Sequence, residues 1–269
     1  MCIRDRYSLD LGGDRVIDHC LLARELCEAQ RTVSPVQLLT DRHPCLTWAD
    51  AREIATETDA IRLASGEQQI GWKLGWTSVA MRTALGIDRP NWGTLWAEQV
   101  CDEALSLAGF IHPKVEPELV WKSPVALSEP LTASEVLELN GEWALGIEVV
   151  DPRFPSFDFD ALDNTADNSS SAAIRVGEFS PLAVDPANIE LGFDDSTDYR
   201  TGVGANAMGS PAEAISWLVR SLLSEGLSLR AGDIVFTGGL TAPFDAEAGT
   251  TYSVRATDLA TTTLRFDGG

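Results

Sequence analysis

From about Gln69 onward the chain breaks into short β-rich runs that do not alternate regularly with helices, and this pattern constrains the fold more than any other feature. The runs are Ile70–Trp76, Val115–Trp121, Ala144–Val150, Ala172–Val176, Ile189–Phe193, Asp233–Thr237, Thr251–Ala256 and Thr262–Phe266, each bounded by Gly, Pro or Asp. One helix interrupts them. Ser210-Pro-Ala-Glu213 supplies an N-cap serine, a proline at the first helical position and a glutamate at the capping-box position, and Gly226 ends the run that follows. Ahead of the strands, residues 14–30 and 48–65 carry helical apolar spacing and are joined by a polar, Pro-containing connection. This order predicts an α+β chain with a mixed-sheet, barrel-like body. The expected divisions are a leader over 1–13, whose Met1-Cys-Ile-Arg-Asp-Arg6 fits neither a targeting signal nor a helix start, a helical segment over 14–68, and a β-rich body over 69–269 that carries the chemistry.

Within the body, His112-Pro-Lys-Val-Glu-Pro-Glu-Leu-Val-Trp121 holds two acids, Glu116 and Glu118. A strand sets side chains at i and i+2 on one face about 7 Å apart, whereas a helix would point them to opposite sides. A third acid, Glu148, sits inside the apolar run Trp143–Val150. Carboxylates are rarely buried without a cation, donors or a metal, and three such oxygens suit Mg²⁺ or Mn²⁺. Two plainer readings stay open here. Exposed edge strands use charges to block aggregation, and a single buried Glu can be satisfied by Lys or Arg. Pro117 cannot donate to a sheet ladder, which suits an edge or an irregular strand where side chains reach a ligand.

Three further segments qualify as site candidates. In Ile70-Gly-Trp-Lys-Leu-Gly-Trp-Thr-Ser78, Lys73 is the only cation in an apolar, Gly-flanked strand. It is either a snorkelling lysine at an edge or a lysine held near the acids, where burial disfavours its charge, carboxylates favour it, and proton exchange with a substrate becomes feasible. Asn164-Thr-Ala-Asp-Asn-Ser-Ser-Ser171 concentrates short polar side chains that form a turn or bind a small carboxylate. Phe236-Thr-Gly-Gly-Leu-Thr241 ends a strand with paired glycines whose N–H groups can face an anion, which adds Thr241 to the substrate-binding candidates.

Charge and composition exclude several classes. The formal charge of −21, with no basic stripe, would repel a phosphate backbone, so nucleic acid is not an expected partner. No apolar stretch approaches the ~18–20 residues needed to span a bilayer, and no membrane insertion or secretion is expected. The five cysteines show no metal-ligand spacing and point to a reducing cytoplasm, with Cys20 and Cys27 read as packing on one buried helical stripe.

Taken in serial order, GWKLGWTSVAMRTALGIDRPNWGTLW (71–96), PKVEPELVW (113–121), ALGIEVVDPRF (144–154), DNTADNSSS (163–171), GANAMGSPAEAISWLV (204–219) and LSLRAGDIVFTGGLTAPF (227–244) resemble the 2-keto-4-pentenoate hydratase and 4-oxalocrotonate decarboxylase family, within the fumarylacetoacetate hydrolase superfamily. The resemblance spans roughly 14–266. It implies a divalent metal, Mg²⁺ or Mn²⁺, small 2-oxo acid or dienol substrates from aromatic-ring degradation, a homo-oligomer, and association with a related pathway enzyme. It also implies roles: Glu116, Glu118 and Glu148 as metal ligands, Lys73 and Asp88 as catalytic groups, and Asp167, Asn168 and Ser170 on the substrate side. One departure stands out. Where the family commonly has Asp-Glu-Pro-Asp, this chain reads Asp88-Arg-Pro-Asn91, so the second acid is an amide. A hydro-lyase acting on 2-hydroxypenta-2,4-dienoate or a relative is the expected activity. The rivals are a decarboxylase, which would need an extra cation such as Lys114, Arg153 or Arg82; a C–C hydrolase, which would need a His/Glu pair such as His112 could form; and a non-catalytic partner subunit.

Overall fold

The computed structural model describes residues 17–268. The leader assigned to 1–13 and the expected helix start at 14 lie outside these residues. Helices α1 (His19–Thr32), α2 (Leu39–Arg42) and α3 (Trp48–Ala64) come first, as the apolar spacing predicts. Asp18 caps α1, and Thr47 and Asp50 form a full capping box on α3. Their buried faces, including Leu22, Ala23, Leu26, Ala51 and Ile54, form a cluster of their own around Phe154 and Ala166. Cys20 and Cys27 flank that stripe only half-buried, because Leu22, Ala23, Leu26 and Ala29 occupy the inward face.

The strands are β1 (Gln69–Gly75), β2 (Asn91–Trp96), β3 (Ala104–Ser106), β4 (Lys114–Lys122), β5 (Glu142–Val150), β6 (Ser171–Val176), β7 (Ser180–Pro181), β8 (Glu190–Asp194), β9 (Tyr199–Val203), β10 (Ile234–Phe236), β11 (Phe244–Asp245), β12 (Thr251–Ala256) and β13 (Thr262–Asp267). They make two sheets. The larger runs β2-β1-β10-β4-β5-β6 and curls into a half-barrel, with β11 paired to β4 and β7 to β5. The smaller runs β3-β13-β12-β8-β9. Parallel pairings of β1 with β10 and β13 with β3 among antiparallel neighbours make both sheets mixed. Four short or late helices complete the fold: α4 (Val79–Leu85), α5 (Ala133–Glu138), α6 (Ala161–Ala166) and α7 (Pro211–Ser224). The main core lies between the sheets and is closed by Ala212, Ile215, Leu218, Val219 and Leu222 of α7. Ser210 does cap α7, accepting from Ala212 N–H, but Glu213 instead faces Arg220 at 3.9 Å.

Neither acid-bearing strand lies at an edge. β5 pairs along the whole of β4 on one side, while β10 and β11 share the other. Between those two the ladder opens: Thr237 N–H still reaches Leu119 O and Leu240 N–H reaches Pro117 O at 3.0 Å, but the chain in between swings away. In a strand, N–H and C=O of one residue point the same way, so the missing donor of Pro117 faces this interruption. The irregular-strand expectation for Pro117 is the one the structure meets.

Candidate active site

Alternation along β1 sends Trp72 and Leu74 into the main core and leaves Gly71, Lys73 and Gly75 on the opposite face. The two glycines are there for space. A methyl at Gly71 would lie 1.9 Å from Ile234 O, and one at Gly75 would lie 2.2 Å from Asn91 Oδ1 and 2.4 Å from Ser169 Oγ. Lys73 is therefore flanked by residues that let β10 and the 168–170 turn come close. β1 lies between β2 and β10, so the snorkelling-edge reading does not apply, and Lys73 is 3% exposed.

The register of β4 with β5 sets Glu116 directly opposite Glu148, and Glu118 opposite Gly146. Like charges in a direct cross-strand pair repel, so this pairing calls for a cation. Glu118 and Glu148 are fully buried, Glu116 is half-buried at the cavity wall, and oxygens of all three lie within 4.8 Å of one another. Gly238 N–H donates to Glu118 Oε2 at 2.6 Å, while Glu118 Oε1 and Glu148 Oε1 accept no hydrogen bond among the described residues. Gly239 leaves room at the third acid, since a methyl there would stand 2.5 Å from Glu116 Oε2. Burial, then the charge of Glu148, pushes Glu116 up to about 7. Burial and Glu148 likewise raise Glu118 well above the usual carboxylate range. Burial also raises Glu148, against the pull of Lys73. A converging set of buried carboxylate oxygens, several without donors, matches what a hard divalent cation coordinates, and these three residues could hold one.

Lys73 Nζ is 3.1 Å from Glu148 Oε2, yet its N–H directions serve Ser169, reaching the carbonyl oxygen at 2.9 Å and the hydroxyl at 3.1 Å. The contact with Glu148 is a buried ion pair at hydrogen-bonding distance. Ser169 in turn donates to Asn91 Oδ1 at 3.1 Å, and Asn91 Nδ2 donates to Asn164 Oδ1 at 2.8 Å and Thr165 Oγ1 at 3.1 Å. Asn168, Ser169 and Ser170 occupy three successive left-handed conformations, with φ of 51°, 53° and 57°. Non-glycine residues rarely do so, and such a turn persists only where its surroundings hold it. Here Asn168 bridges both the N–H and C=O of Thr94, while Ser170 accepts from Asn164 at 2.8 Å.

A cavity of about 280 Å³ opens beside these groups. Lys73, Glu116, Ser169, Ser170 and Thr241 line it, and Trp76, Met81, Val150, Phe157, Phe159 and Pro243 form much of the rest of its wall, with Lys114 at one side. Ser169, which the sequence reading omitted, joins Ser170 at the wall; its only signal was its place in a polar stretch. Three expected site residues need correction. Asp167 turns away to form a buried ion pair with Arg153, and burial, opposed by that arginine, pushes its carboxyl up to about 6. Asn168 is committed to Thr94. Asp88 is exposed, paired with Arg89 at 3.1 Å, and lines a separate surface hollow rather than this cavity. Among the candidate second cations, Arg153 is spent on Asp167 and Arg82 donates to Trp76 O and Thr77 O, so only Lys114 reaches the cavity. His112 meets Phe157 edge-on, with ring centroids 5.4 Å apart, and does not line the cavity.

No protein-family model matches the chain. Whole-chain relatives do. It is 30% identical over 273 residues to a 2-hydroxyhexa-2,4-dienoate hydratase of Comamonas testosteroni, covering 97% of this chain and 98% of that one. Identity to a 2-keto-4-pentenoate hydratase of Burkholderia vietnamiensis is 32% over 256 residues, covering 91% and 96%. The fold superposes with a TM-score of 0.89, at 27% identity, on 4-oxalocrotonate decarboxylase from Pseudomonas putida G7 complexed with magnesium and adipate, over 94% of this chain and all of that one. With the serial order of its motifs, this fold and relatives that align from end to end, the chain belongs to the 2-keto-4-pentenoate hydratase and 4-oxalocrotonate decarboxylase family of the fumarylacetoacetate hydrolase superfamily.

Proposed function

We propose that this protein is a divalent-metal-dependent hydro-lyase that adds water to 2-hydroxypenta-2,4-dienoate or a close relative in the breakdown of aromatic compounds. The observation that carries the reading is the facing pair Glu116 and Glu148 with Glu118 beside them, three converging acids of which Glu116 lines a cavity with a largely apolar wall. Mg²⁺ or Mn²⁺ would be held by these three carboxylates and would supply Lewis acidity at the 2-oxo oxygen of a chelating substrate. Hydration loses the 2-hydroxyl proton of the dienol as C5 gains one, and then divides one water between C4, which takes the hydroxyl, and C3, which takes the remaining proton. Lys73 is the group to move those protons: its ammonium stands between Glu148 and Ser169, buried and facing the cavity. Ser169 and Asn91 hold it in place, and the 168–170 turn keeps Ser169 and Ser170 at the substrate side. Trp76, Phe157 and Phe159 give the cavity an apolar wall that limits the water beside a bound substrate.

A decarboxylase is the second reading, favoured by the structural likeness to 4-oxalocrotonate decarboxylase and by Lys114 at the cavity wall. Loss of CO₂ from an oxalocrotonate-type acid yields the same dienol, so one site can serve either reaction. The two are separated by incubating the protein with Mg²⁺ or Mn²⁺ and each substrate type while following dienol absorbance and CO₂. Metal-dependent decay of the dienol without CO₂ supports the hydratase; CO₂ release from the dicarboxylate with an inert dienol would reverse the assignment. A homo-oligomer, association with a related pathway enzyme, a cytoplasmic location and the division at residues 68 and 69 belong to this reading, supported by the family likeness. Among the described residues no helix is long and apolar enough to cross a membrane. Light scattering that returned a strict monomer at all concentrations would remove the oligomer from it.

A further inference from the structure

Lys114 and Asp245 form a direct cross-strand pair of β4 and β11, with Nζ 2.6 Å from Oδ1. Strand alternation puts Lys114, Glu116 and Glu118 on one face, each about 7 Å from the next. Lys114 is thus one step outward from the acid trio along the cavity, and an extended six-carbon acid anchored by its 2-oxo carboxylate end at the trio would bring its far end to this lysine. Of the cations that line the cavity, Lys73 is committed to Glu148 and Ser169. Lys114 also rests over the Phe157 ring at 5.0 Å, which keeps its stem against the wall. Asp245 itself is largely exposed and lies outside the cavity lining, so its effect on a bound ligand acts through Lys114.

We propose that the Lys114–Asp245 pair determines specificity at the far end of the substrate: Asp245 neutralises Lys114, the site takes 2-oxo or dienol acids with an uncharged tail, and loss of the Asp245 charge turns the same cavity toward dicarboxylates. This rests on the metal-dependent reading of the acid trio and adds to it which substrate class the outer cavity selects. The physical basis is simple. A distal carboxylate must displace Asp245 from Lys114 or sit beside two charges that already cancel, and either way gains little. An apolar tail meets Trp76, Phe157, Phe159 and Pro243 instead, and gains by leaving water.

The test measures calorimetric affinity of the Mg²⁺-loaded full chain for two unreactive acids of equal length, 2-oxohexanoate and 2-oxohexanedioate. The native protein should prefer the monocarboxylate. Asp245→Asn should raise the dicarboxylate-to-monocarboxylate affinity ratio by about five-fold, the upper range for a half-exposed ion pair. The double variant Lys114→Met/Asp245→Asn should return the ratio toward the native value, and Glu138→Gln, an exposed acid of α5 outside the cavity whose loss changes the net charge as Asp245→Asn does, should leave it unchanged, which separates a local contact from long-range repulsion; an equal rise in Glu138→Gln overturns the proposal. An unchanged ratio in Asp245→Asn, or a shift that survives in the double variant, overturns the proposal. If neither acid binds the Mg²⁺-loaded native protein, the reading of the acid trio fails and this inference falls with it.

Discussion

Raising the pH should destabilise the metal-free protein, and Mg²⁺ should remove most of that effect. Without a cation, burial and the charge of Glu148 raise Glu116 from 4.5 to about 7 and also raise Glu118, and burial raises Glu148. A carboxyl raised in the folded state keeps a proton that the unfolded chain has already released. The penalty is therefore absent below the unfolded value of 4.5, grows as the pH rises, and is complete above about 7 for Glu116. For Glu116 alone the shift corresponds to about 3 kcal/mol, which its partial contact with solvent reduces toward about 2. Against a domain stability of about 5–15 kcal/mol this is large. The assay is urea unfolding at about pH 5 and about pH 8, each with and without millimolar Mg²⁺, taking the metal-induced gain at each pH so that surface carboxylates cancel. The gain should be small at the lower pH, where protons already neutralise the acids, and larger by about 2 kcal/mol or more at the higher. An equal gain at both, or none at the higher pH, would refute the idea that these three acids form a cation site.

Other consequences follow from single contacts. Lys73→Met should keep or tighten metal binding, because it removes a positive charge 3.1 Å from Glu148, yet lower turnover by about 10²–10⁴; Lys73→Arg should rescue poorly because its charge is fixed near neutral pH. Near-native rates in Lys73→Met would take this lysine out of the mechanism. Gly93→Ala would place a methyl 2.4 Å from Asn168 O, in a strand that holds the left-handed turn, and should cost about 1–3 kcal/mol by thermal unfolding. A variant as stable as the native chain would show that the turn has freedom this packing denies it.

The eight strand runs and α7 are legible because β-branched and aromatic runs end at Gly, Pro or Asp, and because Ser210-Pro211 starts a helix by local chemistry. β2 is not. Asn91-Trp-Gly-Thr-Leu-Trp96 carries the turn formers Asn91 and Gly93 in its first half and Thr94 as its one β-branched residue, yet it is buried along its length, with Trp92 and Leu95 in apolar clusters and Asn91 and Gly93 against the polar turn that β2 supports. Composition also misleads at 161–171. Short polar residues look like a solvated loop, but here they form α6 and a buried left-handed turn whose polar groups satisfy one another and the backbone of β2. The three acids stand out in sequence through the i, i+2 spacing and the apolar context of Glu148. The cross-strand register that sets Glu116 against Glu148 depends on pairing across a long intervening segment, which no local pattern encodes. The same holds for Arg153 and Asp167: each reads as a site residue until the fold pairs them with one another. Asn91 is a related case. Its amide uses both ends, accepting from Ser169 and donating to Asn164, a role that an acid at this position could not fill in the same way.

The central claim is that Glu116, Glu118 and Glu148 hold one divalent ion at which a 2-oxo acid binds. Electron paramagnetic resonance of Mn²⁺ titrated into the native chain and into Glu148→Gln, each with and without pyruvate, tests it directly. One tightly held Mn²⁺ per native chain, a spectrum that changes when pyruvate is added, and loss of that ion in Glu148→Gln are the predicted results. Tight Mn²⁺ binding that persists unchanged in Glu148→Gln, or a native spectrum indifferent to pyruvate, would contradict the account.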